Sequence, residues 1–192
     1  LEDVVTNVSG VVSTGNQDGR STDISIRGFN EVPILRDGFR LYGNFQGQPE
    51  VANLESVEIL KGPASVLYGE IEPGGLINLV SKKPLAEPYY DLQLQFGNRS
   101  LFRSSADLSG ALTESDDVKY RLNTLYRTEE SFRDFDSSFD RFFIAPTLDW
   151  EINNKTDLSF NLEYIKDNDP ADFGTVIIDG EPADIPPERI TN

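Results

Sequence analysis

Apolar and polar side chains alternate along five successive segments of this chain, and no other feature of the sequence restricts the fold as strongly. The segments cover residues 90–96, 102–112, 118–127, 141–150 and 157–164. A period of two places successive side chains on opposite faces of a β-strand. Most of the segments reach about ten residues, whereas an ordinary strand averages ~5–6. A strand that crosses a lipid bilayer at a tilt needs ~9–11 residues, so the pattern predicts membrane-spanning strands.

The aromatic residues and the connections between the segments favour the same interpretation. Aromatic residues recur near segment ends, as the interfacial girdles of a membrane β-barrel require. They are Tyr90, Phe96, Phe102, Tyr126, Phe142, Trp150 and Tyr164. Short connections alternate with longer ones, which is typical of outer-membrane barrels. A soluble β-sandwich with one solvated face stays open as the alternative. Five strands cannot close a barrel, and lipid does not tolerate an open edge, so we expect further strands after residue 192.

The first 84 residues have a different pattern, which predicts a compact α+β unit. A helical spacing of apolar residues ends at Gly10, and Asp37-Gly38 is a strong signal for a hairpin turn. Pro49 favours a helical turn, because proline is pre-set for the first helical position. Strands are predicted over residues 23–29, 56–60 and 74–83.

Composition excludes several classes of function. The net charge is −16, so nucleic acid is not an expected partner, since its binding needs basic residues that neutralise phosphates. The chain has no cysteine and no histidine, which excludes disulfides, thiolate metal sites and histidine-based catalytic triads. No apolar run of 18 residues is present, so no transmembrane helix is expected. Because we find no nucleophile–base pair and no phosphate-binding loop, we expect no enzyme activity, no cofactor and no metal site.

Four stretches carry a resemblance to a known family. They are SIRGF (25–29), RDGFRLYG (36–43), ESVEILKGPASVLYGEIEPGGLINLVSKKP (55–84) and LQFGNRSLFRSSADLSGAL (94–112). In this order and spacing they resemble TonB-dependent outer-membrane siderophore receptors, most of all the ferrichrome and other hydroxamate-type receptors. The resemblance implies an α+β plug domain over residues 1–84, followed over residues 85–192 by the start of an antiparallel transmembrane β-barrel with outer loops and about five strands present.

The resemblance also implies a function and a location. Receptors of this family import ferric siderophores across the outer membrane, with the base of the plug facing the periplasm. The expected partners are a ferric siderophore, outer-membrane lipid and the TonB energy-coupling complex of the inner membrane, which pulls on a segment that would lie upstream of Leu1. Two alternatives remain open: another cargo such as cobalamin or haem, and a surface receptor that only binds. Haem is disfavoured by the lack of histidine.

Roles for individual residues follow from the resemblance. Arg27 and Lys61 correspond to cations that latch the plug to carboxylates of the barrel wall. Each lies amid apolar strand residues, where burial requires a partner; a partner within the plug itself stays open as the alternative. Lys61 stands where arginine is common, which removes a bidentate pair. The outward loops of the plug are expected to bind the siderophore through amide donors and flat apolar side chains. The expected ligand-binding residues are Asn16, Gln17, Asn30, Glu31, Tyr42, Asn44, Phe45 and Gln46.

Two further expectations concern the glycines and the acidic loop. The glycines of the long block (Gly62, Gly69, Gly74 and Gly75) permit positive φ or close backbone approach, so we expect them to shape tight bends and not to bind a ligand. The acidic segment 167–188 would repel anionic chelates. It therefore favours a neutral or cationic ferric complex.

Overall fold

The chain forms two compact units in a computed structural model, Leu1–Lys82 and Lys83–Asn192. The structure describes residues 2–5, 7–15, 23–30, 32–41, 49–63, 68–69, 73–132, 138–168, 177–178, 181–184, 186 and 188. Among these residues, no helix is long and apolar enough to cross a membrane.

The first unit contains one short helix and six strands among its described residues. They are α1 (Glu2–Val5), β1 (Val11–Gly15), β2 (Asp23–Ile26), β3 (Ile34–Arg36), β4 (Phe39–Arg40), β5 (Leu54–Lys61) and β6 (Gly75–Ser81). Strands β1 and β2 form an antiparallel pair, and the other four form a sheet in the order β4-β3-β6-β5. Strand β6 is parallel to β3 and antiparallel to β5.

Strand β6 lies inside this sheet and is buried on both faces. Ile77 and Leu79 join the main apolar cluster of the unit, while Leu76 packs with Leu35 in a second cluster. Strand β6 therefore needs apolar residues at consecutive positions, since neither face reaches solvent. The remaining buried members of the main cluster are Val5, Val11, Ile24, Ile26 and Leu54.

The predicted hairpin at Asp37-Gly38 is confirmed. Asp37 has φ 50° and Gly38 has φ 84°, and two residues with positive φ are what a tight type I′ hairpin turn requires. The turn is fixed from β6, because the side-chain oxygen Oδ1 of Asn78 accepts a hydrogen bond from the Gly38 N–H at 3.0 Å. Asn78 also donates through Nδ2 to Glu58 Oε2 at 2.9 Å, so one side chain joins the hairpin to β5.

Two details of the first unit differ from the sequence prediction. The predicted helical turn at Pro49 is wrong: the chain makes a turn that closes with a hydrogen bond of 3.0 Å from Leu54 N–H to Val51 O. The carboxylate of Glu50 accepts from the N–H groups of Val51 and Ala52 and so favours the turn over a continuing helix. Strand β5 then starts at Leu54, two residues before the predicted start.

The second unit is built from long antiparallel strands. They are β7 (Tyr89–Phe96), β8 (Phe102–Ala111), β9 (Val118–Glu130), β10 (Ser138–Asn153), β11 (Thr156–Asn161), β12 (Tyr164–Asn168), β13 (Ile177–Ile178) and β14 (Glu181–Pro182). The main sheet has the order β11-β10-β9-β8-β7, with β12 also paired to β10. The predicted fold class is confirmed, because an α+β unit is followed by an open antiparallel sheet of long strands.

The fifth predicted strand is interrupted at Leu162 and Glu163. Strand β11 pairs with residues 147–153 of β10, and β12 pairs with residues 140–144 of β10. Pro146 lies opposite this interruption and has no N–H to donate. Leu162 N–H still donates to the Pro146 carbonyl at 3.1 Å, so one bond bridges the gap. The interruption is therefore the local consequence of a proline in β10.

Candidate functional site

The two predicted latch cations lie beside the same turn of the first unit. Arg27 follows β2 in a turn with φ 53°, and its backbone N–H donates to the Gly10 carbonyl at 2.9 Å. Lys61 is the last residue of β5, and its Nζ donates to the Ser9 carbonyl at 2.5 Å. The chain thus brings together two cations that are 34 residues apart in sequence (61 minus 27).

Two glycines flank the Arg27 side chain. A Cβ added at Gly10 would lie 3.9 Å from Arg27 Cγ, and one added at Gly62 would lie 3.7 Å from Arg27 Nη1. The guanidinium therefore extends along the backbone from the first turn towards the end of β5. Gly62 has φ 118°, a conformation that favours glycine.

One premise of the latch prediction is wrong. Arg27 is exposed and lies in a turn, because its positive φ ends β2 at Ile26; it is not a buried cation within a strand. Among the residues that the structure describes, neither Arg27 nor Lys61 forms an ion pair with a carboxylate. Their role as a latch stays a prediction.

The glycines at the start of β6 serve close backbone packing. A Cβ at Gly75 would lie 2.0 Å from the Leu60 carbonyl oxygen, and one at Gly74 would lie 2.6 Å from the Ile26 carbonyl oxygen. No side chain fits at those distances. Gly62 N–H donates to Gly74 O at 3.0 Å, which joins the two ends of the glycine-rich block. These positions therefore hold β2, β5 and β6 together.

Most of the predicted ligand-binding residues lie outside the described part of the chain. Asn30 is described, and it is exposed after the turn that contains Arg27. The others lie outside the described residues: Asn16, Gln17, Glu31, Tyr42, Asn44, Phe45 and Gln46. The ligand-binding role of all eight residues stays a prediction.

The main sheet of the second unit exposes its apolar face. On β7, Leu92 is 74% exposed and Leu94 is 68% exposed. Cross-strand pairs join even-numbered residues to even-numbered ones, as in Leu92 with Ala106, so one face runs across all the strands. The large apolar residues of this face that are at least 37% exposed include Tyr90, Leu92, Leu94, Phe96, Tyr126, Phe142, Leu148, Trp150, Leu158, Phe160, Leu162 and Tyr164.

The opposite face carries most of the polar side chains and is the more buried one. Asn123 is 2% exposed and Ser109 is fully buried. Phe143 lies among these polar residues and is in register with Leu125 on one side and Ile165 on the other. A soluble sheet buries its apolar face and leaves the polar face in water. This sheet does the reverse, which is typical of a strand array that faces lipid on its outside.

An aromatic row crosses the exposed face at one end of the sheet. The Phe96 and Phe102 rings have centroids 5.5 Å apart, and the Phe102 and Tyr126 centroids are 6.3 Å apart. Tyr126 is in register with Phe142, whose ring lies 6.4 Å from that of Tyr164. The row therefore continues from β7 to β12.

A second set of aromatic residues lies towards the other end of the same face, at Tyr90, Tyr120 and Trp150. On β9, Tyr120 and Tyr126 are six steps apart, which corresponds to about 20 Å along the strand. Membrane barrels carry an apolar band ~25 Å tall between two aromatic girdles. On the longer strand β10, Phe142 and Trp150 are eight steps apart, about 27 Å along the strand, which a tilt of ~35–45° reduces to about 20 Å of height. The two aromatic sets thus bound most of the height of such a band.

A buried ion pair lies on the polar face near the start of the sheet. Arg121 donates from Nε to Asp107 Oδ1 at 2.9 Å and from Nη2 to Asp107 Oδ2 at 2.8 Å. Its third nitrogen, Nη1, donates to the Lys83 carbonyl at 2.8 Å, and the guanidinium carbon lies 5.6 Å from the centre of the Tyr89 ring. We name this group of four residues the linker clamp, because it holds the chain that leads into β7.

The alternation of side chains predicts that Arg121 and Asp107 lie on the polar face, but it does not predict that they form an ion pair. The signal was present in the alternation, since both residues interrupt apolar segments with opposite charges. Their pairing depends on the register of β8 against β9, in which Asp107 faces Asn123 and Ser109 faces Arg121. A diagonal contact of this kind is readable only after the register is known.

The turn between β8 and β9 contains a carboxylate with a shifted pKa. A side-chain hydrogen bond from Thr113 is the main cause that lowers the pKa of Asp117, and one from Ser115 adds to it. The Thr113 hydroxyl is bonded to Asp117 Oδ1, and Thr113 Oγ1 accepts from the Val118 N–H at 3.2 Å. The turn thus carries its own hydrogen-bond network at the point where β9 begins.

Comparison with known proteins places both units in context. Residues 1–76 match the family described as the TonB-dependent Receptor Plug Domain. The chain is 39% identical over 132 residues to the metal-pseudopaline receptor CntO of Pseudomonas aeruginosa, which covers 69% of this chain and 18% of that protein. It is 36% identical over 167 residues to the ferrichrome outer membrane transporter/phage receptor of Escherichia coli K12. That match covers 83% of this chain and 22% of the relative. The chain spans about a fifth of the length of these relatives.

Solved structures show the same architecture. Pseudomonas aeruginosa FpvA bound to a heterologous pyoverdine matches with a TM-score of 0.83 and 26% identity, over 97% of this chain and 26% of that chain. The closed form of Fiu, the ferric-catecholate import receptor of Escherichia coli K12, matches with a TM-score of 0.78 and 27% identity. This match covers 91% of this chain and 25% of the Fiu chain.

Proposed function

We propose that this chain, which belongs to the TonB-dependent siderophore receptor family, provides the plug and the first barrel strands of an outer-membrane receptor that imports ferric siderophores. Its relatives are transport receptors and not enzymes. The match of residues 1–76 supports the plug assignment. The extent of the plug up to residue 84 and of the barrel strands from residue 85 is part of the proposal.

The exposed apolar face of the main sheet is the observation that carries the proposal. About 25 cal/mol of favourable free energy is lost for each Å² of apolar surface left in water, so a row of side chains such as Leu92, Leu94 and Phe96 needs an apolar surrounding. The aromatic rows at both ends of that face match the two girdles at a membrane surface. Outer-membrane lipid is therefore the partner of this face.

In the proposed mechanism the plug binds the ferric complex on its outward loops and then moves. The eight predicted ligand residues supply amide donors and flat apolar side chains for a chelate. Binding shifts the plug only if the bound and free arrangements differ in contact energy. The TonB complex of the inner membrane then pulls the plug, whose base faces the periplasm, and opens a path through the barrel.

Arg27 and Lys61 are proposed to hold the closed state. Neither has a carboxylate partner among the described residues, and both lie beside the Ser9-Gly10 turn. Two cations at one place would pair with carboxylates of the barrel wall in the closed receptor. Movement of the plug would break those ion pairs. The free energy needed to break them would be part of the barrier to opening.

The direct test uses the full-length gene in its own cell. Cells with and without the gene are grown under iron starvation with one defined siderophore at a time, and uptake of radioactive iron is measured. We expect gene-dependent uptake of at least one ferric siderophore, abolished when the TonB complex is inactivated. Uptake that does not depend on the gene with any siderophore would contradict the proposal, and uptake of cobalamin or haem alone would replace its cargo.

A surface receptor that only binds makes a different prediction about the latch. The double variant Arg27→Ala/Lys61→Ala would leave such a receptor unchanged. In a transporter it should raise permeability of the outer membrane to a large antibiotic or alter the uptake rate. The matched control is Arg40→Ala, which removes an exposed cation of the same unit from β4.

A further inference from the structure

Three arginines face one another across neighbouring strands on the polar face of the main sheet. Arg103 of β8 is directly opposite Arg127 of β9, and Arg127 is directly opposite Arg141 of β10. Directly opposed residues of antiparallel strands have Cβ atoms about 4.5–5.5 Å apart, and like charges there are destabilising. The row continues to Gln95 on one side and Asp167 on the other. We name Arg103, Arg127 and Arg141 the arginine row.

Two carboxylates of the described residues, those of Asp167 and Glu129, lie against these arginines. Arg141 makes a bidentate pair with Asp167, with Nε–Oδ1 at 2.8 Å and Nη2–Oδ2 at 2.7 Å. Arg127 Nη2 lies 2.5 Å from Glu129 Oε2, and Arg99 from the adjacent hairpin turn lies 3.8 Å from the same carboxylate. Asp167 thus pairs with Arg141, and Glu129 lies against both Arg127 and Arg99, whereas Arg103 pairs with neither of these carboxylates.

Arg103 and Arg127 retain bonding capacity. Among the described residues, Arg103 has one side-chain hydrogen bond, from Nη1 to Ser105 Oγ at 3.4 Å, and no carboxylate. The Nε of Arg127 is buried and has no hydrogen-bond partner. A guanidinium offers five N–H donors in a planar fork, and a buried donor without an acceptor costs free energy. Among the described residues, the Nε of Arg127 and the remaining donors of Arg103 have no acceptor, and a bound anion would supply one.

An aromatic ring lies beside the same arginines. The guanidinium carbons of Arg127 and Arg141 lie 5.1 Å and 5.7 Å from the centre of the Phe139 ring. The row is located at the end of the sheet where the hairpin turn of residues 97–101 joins β7 to β8, on the face that carries the polar side chains. Charged donors and a flat apolar surface are therefore adjacent, as in sites that bind organic anions.

We propose that the arginine row binds the anionic oxygen atoms of a negatively charged ferric chelate. The inference rests on the proposed import function and specifies its cargo by charge. Arginine matches carboxylate and related oxygen pairs with two parallel N–H···O bonds, and Arg103 and Arg127 have donors free to make them. The Phe139 ring gives the organic part of the chelate a surface to lie on.

This proposal opposes the expectation drawn from the acidic segment 167–188, which favoured neutral or cationic complexes. The sign of the charge around a ligand depends on the groups within a few ångströms of it. Beyond about one Debye length, ~8 Å at physiological ionic strength, exposed charges are largely screened. The half-buried arginine row therefore decides the preference at the wall, whereas the acidic segment acts mainly on approach at low salt.

The test measures binding to purified full-length receptor in detergent. The probes are ferric citrate as an anionic complex, ferrichrome as a neutral one and ferrioxamine B as a cationic one. The variant Arg103→Gln keeps the hydrogen-bonding side chain but removes the charge. The matched control, Lys166→Gln, removes a cation that is opposite Phe142 at the same end of the sheet but on the apolar face.

We expect the wild-type receptor to bind the anionic complex more tightly than the neutral one. Arg103→Gln should weaken binding of the anionic complex about ten-fold or more and leave the other two unchanged. Arg103→Lys, which keeps the charge but loses the planar fork, should retain an intermediate affinity. Lys166→Gln should have no effect. Retained heat-modifiable migration on a gel verifies that each variant is folded.

Two results distinguish a failure of the arginine-row proposal from a failure of the proposed import function. If the receptor binds and imports a neutral or cationic complex but shows no preference for the anionic one, and Arg103→Gln changes nothing, the arginine row is not a cargo site and the import function stands. If no ferric complex binds the wild-type receptor and iron uptake does not depend on the gene, the import function itself fails.

Discussion

Arg121 and Asp107 form a bidentate ion pair whose side chains are only 7% and 9% exposed. Burying two charges costs several kcal/mol per ion, and close geometry with further hydrogen bonds must offset that cost. Here the remaining Arg121 nitrogen donates to the Lys83 carbonyl. The pair thus holds the strands β8 and β9 and the segment that leads into β7.

Because of the linker clamp, we expect two aspartate variants to differ strongly in their free energy of unfolding. Asp107→Ala leaves Arg121 buried without its partner, which should lower the free energy of unfolding by about 3–5 kcal/mol. Asp91→Ala is the control: Asp91 is directly opposite Asp107 in register, so its removal relieves a like-charge contact at the loss of one exposed hydrogen bond from Gln93, and it should not destabilise the receptor. Urea titration of the full-length receptor refolded into phospholipid vesicles measures both. Equal effects of the two variants would show that Arg121 does not depend on Asp107.

Replacing Gly75 should cause a steric clash in addition to the strain of its backbone conformation. In Gly75→Ala the new Cβ would lie 2.0 Å from the Leu60 carbonyl oxygen, so β5 and β6 must separate. Gly75 and Gly38 both have a positive φ, 136° and 84°, so an alanine is strained at either position, but nothing lies within 4 Å of a Cβ added at Gly38. Strain at a positive φ costs about 1–2 kcal/mol, and Gly75→Ala should cost clearly more. Limited proteolysis of the plug in the full-length receptor compares them, and similar rates in both variants would count against the packing role.

The two faces of β7 predict opposite responses to a charge. Leu92→Arg places a guanidinium on the lipid face and should destabilise the inserted receptor by about 2–4 kcal/mol if that position lies near the bilayer midplane. Gln93→Arg, one residue further on the polar face, should be tolerated. Unfolding in vesicles measures the difference. A penalty for Gln93→Arg that equals the penalty for Leu92→Arg would mean that the faces are not distinguished by lipid.

The turn at Thr113 predicts an effect at acid pH. The Thr113 hydrogen bond lowers the pKa of Asp117 in the folded state below its ordinary value of 3.8. A carboxylate with a depressed pKa stabilises the fold above the unfolded-state pKa, and this contribution is lost as the pH falls through the folded-state value. Thr113→Val should raise the pKa of Asp117 and reduce the acid-dependent loss.

That prediction is checked by comparing the stability of Thr113→Val and of the wild type at pH 7 and near pH 3. The difference between the two proteins should be larger at pH 7. A constant difference at both pH values would show that the hydroxyl acts without the Asp117 charge.

The strands of the second unit were predictable because their pattern has one dominant cause. Side chains such as Leu92 and Gln93 alternate because one face of the sheet is apolar and exposed and the other is polar and more buried, and the period of two follows from strand geometry. The interruption at Leu162 was not predictable from its own segment. It depends on Pro146, which lies opposite it only after the register of β10 is fixed.

The first unit was predictable where local conformation determines the structure. Asp37-Gly38 specifies a hairpin turn by its positive φ values, whatever surrounds it. Arg27 shows the limit, since alternation in residues 23–29 continues the strand through a position where the chain turns. The arginine row could not be predicted from the sequence, for the same reason as the linker clamp. Each arginine was visible as a polar-face residue, but their opposition is a property of strand register.

The most direct measurement of the central claim is the environment of neighbouring positions on one strand. The described chain has no cysteine, so Leu94→Cys and Gln93→Cys each give a single labelling site in this segment of the full-length receptor, with any cysteine elsewhere removed. A spin label at each position is tested in vesicles for collision with oxygen, which concentrates in lipid, and with a water-soluble nickel complex. We predict that the label at position 94 collides with oxygen and is shielded from nickel, and that the label at position 93 is not lipid-exposed. The reverse pattern, or both positions open to water in a receptor that stays soluble without detergent, would contradict a sheet that faces lipid with its apolar side.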